Sequence, residues 1–235
     1  MPKTHPIVSH ADWLAARRKL LAREKKFTKL RDALSEARRA LPWELVAKPY
    51  EFQDAKGKYT LPELFAGRSQ LIVYHFMFGP DWEAGCPHCS RWADSFNSVI
   101  VHLNQRDVTM VAVSHAPFWK IKPYRRRMDW SFDWYSSARS DFNADFNVSF
   151  TPEQLKAGEA TYNYVRQDPG VAEREGVSVF YKGAKGRVYH TYSAYARGID
   201  LFSTDYNYLD ITPKGRDEKG RGPYWVKRHD EYGRN

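Results

Sequence analysis

The longest regular pattern in the chain lies near its start, where Trp13, Leu20, Phe27, Leu34 and Leu41 recur every seven residues. Leu14, Leu21 and Leu30 widen this apolar stripe, while Arg17, Arg18, Lys19, Lys25 and Lys26 fall on other faces. The spacing predicts a long amphipathic helix starting near Ala11 with Ser9 as its N-cap. Arg23 and Glu24 interrupt the companion seam, which argues against a regular coiled coil. About 31 helical residues would reach about 46 Å at 1.5 Å per residue. That exceeds what a small domain needs, so a bend near Thr28 or an arm forming a homodimer through this helix is expected. A solvated basic face is the plainer reading of the same stripe.

After Pro42 and Pro49 the period changes. Residues 50–59 read as strand–turn–strand around Lys56-Gly57, and Leu61 to Phe65 as a short helical turn. Residues 70–78 are apolar on both faces, as a central strand covered on both sides requires. Ser90 to about Gln105 is helical, with Trp92, Phe96, Val99, Ile100 and Leu103 on one face. Val108 to Val113 is a second buried strand, followed by a basic helix through Arg125-Arg126-Arg127. Trp130 to Phe150 has little periodicity and reads as irregular, and residues 153–166 as helical or mixed. Val177–Tyr181 and Arg187–Tyr192 form the clearest hairpin, around a turn at Lys182–Gly186. A short helix follows Gly198, and a polar tail begins at Pro213. The order predicts an α/β sandwich with a central mixed sheet flanked by helices. Residues 1–48 form a helical extension, 49–212 the main domain and 213–235 the tail.

Composition narrows the class. Of the 235 residues 42% are hydrophobic, enough for a substantial core. No stretch approaches the roughly 20 apolar residues that span a bilayer, and Met1-Pro2-Lys3-Thr4-His5 lacks the apolar run of a signal peptide. A soluble cytoplasmic protein with no membrane partner is expected. The net charge of +9 is concentrated in residues 1–41, with eleven basic and four acidic side chains. The remaining 26 basic and 24 acidic residues nearly balance, so a nucleic-acid partner is not expected.

The chain has two cysteines, and they stand together as Cys86-Pro87-His88-Cys89 between the apolar strand and the helical segment. This placement excludes a disulfide framework and leaves one dithiol at a strand-to-helix junction. There Cys86 is the candidate nucleophile and Cys89, one turn inward, the resolving thiol. Pro87 suits an early helix position. His88, protonated or donating, would favour the Cys86 thiolate, whereas Asp81 and Glu83 would oppose it if near the sulfur. Two other readings stay open: half a zinc site completed by His75, His88 or His115, and two small core residues. No cofactor or metal is assigned. The partner is a protein or small-molecule thiol or disulfide.

With these residues in place, the chain resembles the thioredoxin-like superfamily and, more narrowly, the DUF899 family, whose members are described as predicted dithiol–disulfide oxidoreductases. The likeness is carried by Gly67–Pro80, Cys86-Pro87-His88-Cys89, Val111–Pro117, Ser178-Val179-Phe180-Tyr181 and His190–Gly198. It implies a thioredoxin-like sandwich and redox activity through the dithiol. The Pro-His dipeptide is similar to that of periplasmic disulfide-generating oxidoreductases. Where thioredoxins place a cis-proline opposite the dithiol, this chain reads Arg174-Glu175-Gly176-Val177-Ser178. The Leu61–Arg68 stretch is similar to peroxiredoxins, but Pro80–Cys86 lacks their hydroxyl residue and their spacing. A non-catalytic redox-sensing or interaction module, with Trp130, Trp134, Tyr135 and Phe142 as its surface, is the alternative function.

Overall fold

A computed structural model describes residues 5–233. Met1–Thr4, where the leader reading began, and Arg234–Asn235 lie outside the described residues. The chain divides into two compact units between Pro42 and Trp43.

The first unit is α1 (His10–Arg39), 30 residues of continuous helix. Ser9 caps it as expected, its hydroxyl accepting the Asp12 N–H at 3.2 Å. At Thr28, where a bend was anticipated, the helix continues, and the hydroxyl donates to the Glu24 carbonyl at 3.1 Å. No α1 residue is buried, so the apolar stripe through Trp13, Leu20, Phe27 and Leu34 is open.

The second unit starts with β1 (Glu44–Leu45), β2 (Glu51–Gln53), β3 (Lys58–Thr60) and β4 (Gln70–His75). Helices α2 (Pro87–Ala93) and α3 (Phe96–Asn104) lead to β5 (Val108–Ser114), α4 (Phe118–Arg127) and β6 (Trp134–Ser136). Next come α5 (Phe142–Asp145), α6 (Pro152–Ala157) and a separate hairpin of β7 (Ala160–Tyr162) and β8 (Val165–Gln167). The hairpin of β9 (Gly176–Lys182) and β10 (Val188–Tyr195) precedes α7 (Thr204–Leu209). Eight strands form one sheet in the order β1-β10-β9-β4-β5-β6-β2-β3. The pairs β4–β5 and β5–β6 are parallel, and β9 runs antiparallel to β4. A dithiol helix between two parallel strands, with a late antiparallel hairpin on the other side of β4, is the thioredoxin-like sandwich.

Two-residue alternation divides the core between the sheet faces. Leu71, Val73, Val111 and Val113 pack with Phe65, Phe142 and Phe180 on one face. Tyr74, Phe76, Met110 and Ala112 pack with Cys89, Trp92, Phe96 and Trp134 on the other. The dithiol thus belongs to the second face, under the helices that follow it.

Three segments differ from the sequence reading. The predicted helix over 90–105 begins at Pro87 and breaks at Asp94–Ser95. There Asp94 accepts the Trp130 indole N–H at 2.9 Å, and Ser95 turns its hydroxyl back to the Trp92 carbonyl at 2.8 Å. The region 130–150, read as irregular, supplies β6 and α5; three wholly buried strand residues leave no alternation to detect. Trp130, Trp134, Tyr135 and Phe142 are buried in it and form core, not a binding surface. The tail lies against this unit, where Arg127 pairs with Asp230 at 2.7 Å and Glu231 at 2.9 Å.

Candidate dithiol site

Beyond β4 the chain loops outward and returns so that the Cys86 N–H donates to the Met77 carbonyl at 3.0 Å. Gly85 makes this return possible. A Cβ there would stand 2.7 Å from the Phe76 ring and 2.8 Å from the Tyr124 ring, so only glycine brings the backbone this close. Arg228, from the tail, donates to the Gly85 carbonyl at 2.7 Å and 3.1 Å and to the Tyr124 hydroxyl at 3.0 Å. The residue before the dithiol is therefore clamped from both sides. Cys86 is the N-cap of α2, with Pro87 at the helix start. Ser90 secures this first turn, its N–H and hydroxyl both donating to the Cys86 carbonyl, at 2.9 and 2.8 Å.

Both cysteines are free thiols, 4.1 Å apart. Their surroundings differ: Cys86 is partly exposed, whereas Cys89 is fully buried and accepts the Met77 N–H at 3.5 Å. A hydrogen bond from Cys89 holds the Cys86 thiol below its ordinary range. Burial opposes this, and the N–H groups of Cys89 and His88 reinforce it. Burial pushes Cys89 well up, and the neighbouring Cys86 adds to the effect. The two sulfurs thus differ in exposure and in acidity.

At His88 the cationic alternative of the sequence reading is opposed. Half-buried beside Arg91, its imidazolium is disfavoured first by burial and then by that guanidinium. Cys86 is stabilised by the backbone N–H of His88 rather than by a cationic ring. The carboxylate that opposes ionisation of both thiols is Glu175, in the loop before β9.

The other histidines point elsewhere. His75 lies on the opposite sheet face, stacked against Phe142 and Phe146, with Nε2 at 2.8 Å from the Ser178 hydroxyl. His115 pairs with the buried Glu173 at 2.9 Å, and that carboxylate raises its pKa. Among the described residues no group of three or more His, Cys, Asp or Glu side chains is arranged to hold a metal ion.

Cys86 opens into a cleft of about 550 Å³ whose floor includes Met77, His88, Cys89 and Trp92. One wall is Arg174 and Glu175, at the place where the resemblance puts a cis-proline. Every described peptide bond is trans. Gly176 turns the chain into β9, and a Cβ there would fall 2.6 Å from the Tyr195 ring. A second part of the lining comes from the segment 196–223, including Tyr206, Arg216 and Glu218. Sequence reasoning placed Pro87, His88 and both cysteines together but missed Gly85, Glu175, Arg228 and this second part of the lining. Those residues are up to 143 positions apart in the chain, and none lies in a recognisable local motif.

Solved structures with a similar chain path include the peroxidoxin BcpB of Mycobacterium tuberculosis, 13% identical, with a TM-score of 0.47 over 72% of this chain and 97% of that one. Peroxiredoxin Q of Xanthomonas campestris gives the same identity, score and coverages. PrxQ of Xylella fastidiosa is 14% identical, with a TM-score of 0.42 over 70% and 91% of the two chains. No curated protein matches the chain in sequence. No helix among the described residues is long and apolar enough to cross a membrane. The family described as a bacterial protein of unknown function, DUF899, matches residues 2–232. The chain therefore belongs to the DUF899 family.

Proposed function

We propose that the protein is a cytoplasmic thiol–disulfide oxidoreductase, with Cys86 as nucleophile and Cys89 as resolving thiol. The observation that carries this reading is the unequal pair: two free thiols 4.1 Å apart, one open to a cleft and the other fully buried. The Cys86 thiolate attacks one sulfur of a substrate disulfide, and the first thiolate leaves as the Cys86–substrate bond forms. Cys89 then loses its proton and attacks the Cys86 sulfur, expelling the second substrate thiolate. Two electrons pass to the substrate, which leaves as two thiols, and the protein retains a Cys86–Cys89 disulfide. Pro87 and Ser90 fix the turn that separates the sulfurs, and His88 supplies a backbone donor to the attacking one.

Cys89→Ser tests this directly. The reduced variant should accumulate a mixed disulfide through Cys86, visible as a mass increase by intact-protein mass spectrometry. Wild type should instead lose two mass units and release two substrate thiols. A Cys86 of ordinary thiol reactivity, with no trapped adduct, would refute the enzymatic reading. Oxidation of the pair without repeated turnover in the presence of a dithiol reductant would favour a redox sensor.

A further inference from the structure

The cleft above the dithiol carries more charge than disulfide exchange itself requires. Three of its arginines are committed to neighbouring carboxylates: Arg91 to Asp205 at 3.2 Å, Arg197 to Asp200 at 3.0 Å and Arg216 to Asp210 at 2.7 Å. Arg174 differs. Its Nε donates to the Pro169 carbonyl at 2.7 Å and its guanidinium lies over the Tyr162 ring, but among the described residues it has no carboxylate partner. Glu175, beside it, likewise forms no ion pair among the described residues, and its carboxylate lies within reach of the Tyr162 hydroxyl. One cation and one anion without a charged partner among the described residues therefore stand on adjacent residues lining the dithiol cleft.

The lining from segment 196–223 is cross-braced. Tyr206 is held between the guanidinium groups of Arg91 and Arg216, 4.2 and 3.8 Å from its ring centre. Its hydroxyl donates to Glu218, which also accepts the Trp225 indole N–H at 3.0 Å. A cleft of about 550 Å³ is ample for a small ligand.

We propose that the substrate is the disulfide of a small zwitterionic thiol of amino-acid or short-peptide type, its carboxylate held by Arg174 and its ammonium by Glu175. This rests on the dithiol reading above and specifies its substrate. Arg174 can offer a planar pair of N–H donors to a carboxylate. Glu175 then has a second role, because an ammonium beside it weakens its opposition to the Cys86 thiolate. Substrate binding and nucleophile activation are linked through one carboxylate. The exchange is the balanced two-step reaction already given, with the reduced dithiol supplying both electrons.

Single-turnover reduction by the pre-reduced protein, followed by acid quench and alkylation of remaining thiols, tests this. The disulfides are cystine, cystamine (ammonium only), dithiodiglycolate (carboxylate only), neutral hydroxyethyl disulfide, and insulin as a protein disulfide. Each rate is divided by that of dithiothreitol with the same compound, which removes intrinsic reactivity. Cystine should exceed hydroxyethyl disulfide by about tenfold or more, corresponding to about 1.4 kcal/mol. Arg174→Ala should lower the cystine and dithiodiglycolate rates relative to hydroxyethyl disulfide in the same variant, with Arg174→Lys restoring part of the loss. Glu175→Gln should lower cystine and cystamine in the same relative sense. Equal normalised rates, a preference for insulin, or ratios unmoved by these substitutions would overturn the assignment while leaving the dithiol chemistry intact. Failure to reduce any disulfide, the neutral one included, would remove the dithiol reading and this assignment with it.

Discussion

His75 gives the sharpest stability prediction. From this buried residue a chain of hydrogen bonds runs to the surface: Nε2 to Ser178 at 2.8 Å, Ser178 to Ser193 at 2.8 Å, and Ser193 to His190 Nε2 at 2.7 Å. His190 Nδ1 then faces Glu44 at 3.4 Å. The order is satisfied when His75 donates from Nε2 and His190 donates from Nδ1. His75 Nδ1, which has no partner, is then only an unused acceptor. A proton on His75 would make that atom a buried donor with nowhere to donate, which is costly. Burial first, and then the proximity of His190, lower its pKa from 6.5 to about 3. The unfolded chain thus takes up a proton as pH falls through 6.5 while the folded protein does not. Stability from His75 is full above pH 6.5 and falls by about 1.36 kcal/mol per unit below it until the folded pKa is reached. Between pH 6.5 and 5 the loss is about 2 kcal/mol. Urea unfolding at pH 7 and pH 5, on wild type and His75→Gln, isolates the contribution. Glutamine keeps a donor for Ser178 but does not titrate. His115, whose pKa is raised and which therefore adds stability at low pH, is common to both proteins and cancels. Wild type should lose about 2 kcal/mol more than the variant over this range. Equal losses would refute the buried neutral imidazole.

Two further outcomes follow from the same structure. Cys89→Ala removes the foremost hydrogen bond holding the Cys86 thiol down. The midpoint of the pH dependence of Cys86 alkylation by iodoacetamide should rise, and an unmoved midpoint would assign the effect to the backbone donors instead. The open stripe on α1 is expected to pair two copies of the chain. Phe27→Glu at its centre should shift sedimentation equilibrium from dimer to monomer, and a wild type that is monomeric at every concentration would exclude the arm.

The local record and the tertiary structure contributed different things. Strands β4, β5, β9 and β10 were visible in the sequence because each is long and either apolar on both faces or closed by a tight turn. The dithiol was visible because its residues are contiguous and its spacing of three matches one helical turn. Helix α1 and its Ser9 cap were visible because their signals lie within one segment. By contrast β6 shows no alternation, since Trp134 and Tyr135 pack on opposite faces of a buried sheet and Ser136 is buried with them. The break between α2 and α3 depends on Asp94 meeting Trp130 and His229, residues 36 and 135 positions away.

The candidate site divides along the same line. From the sequence alone come the pair Cys86–Cys89, an early helix position for Pro87 and the sandwich that carries them. Folding decided that His88 is disfavoured as a cation and that Glu175 opposes the thiolate. It also turned the polar tail into part of the site, through Arg228 on the Gly85 carbonyl. The physical reason is range: helix starts and apolar periods arise from neighbours along the chain. Burial and charge at a sulfur are set by whichever distant residues folding brings within a few ångströms, and no local pattern encodes them.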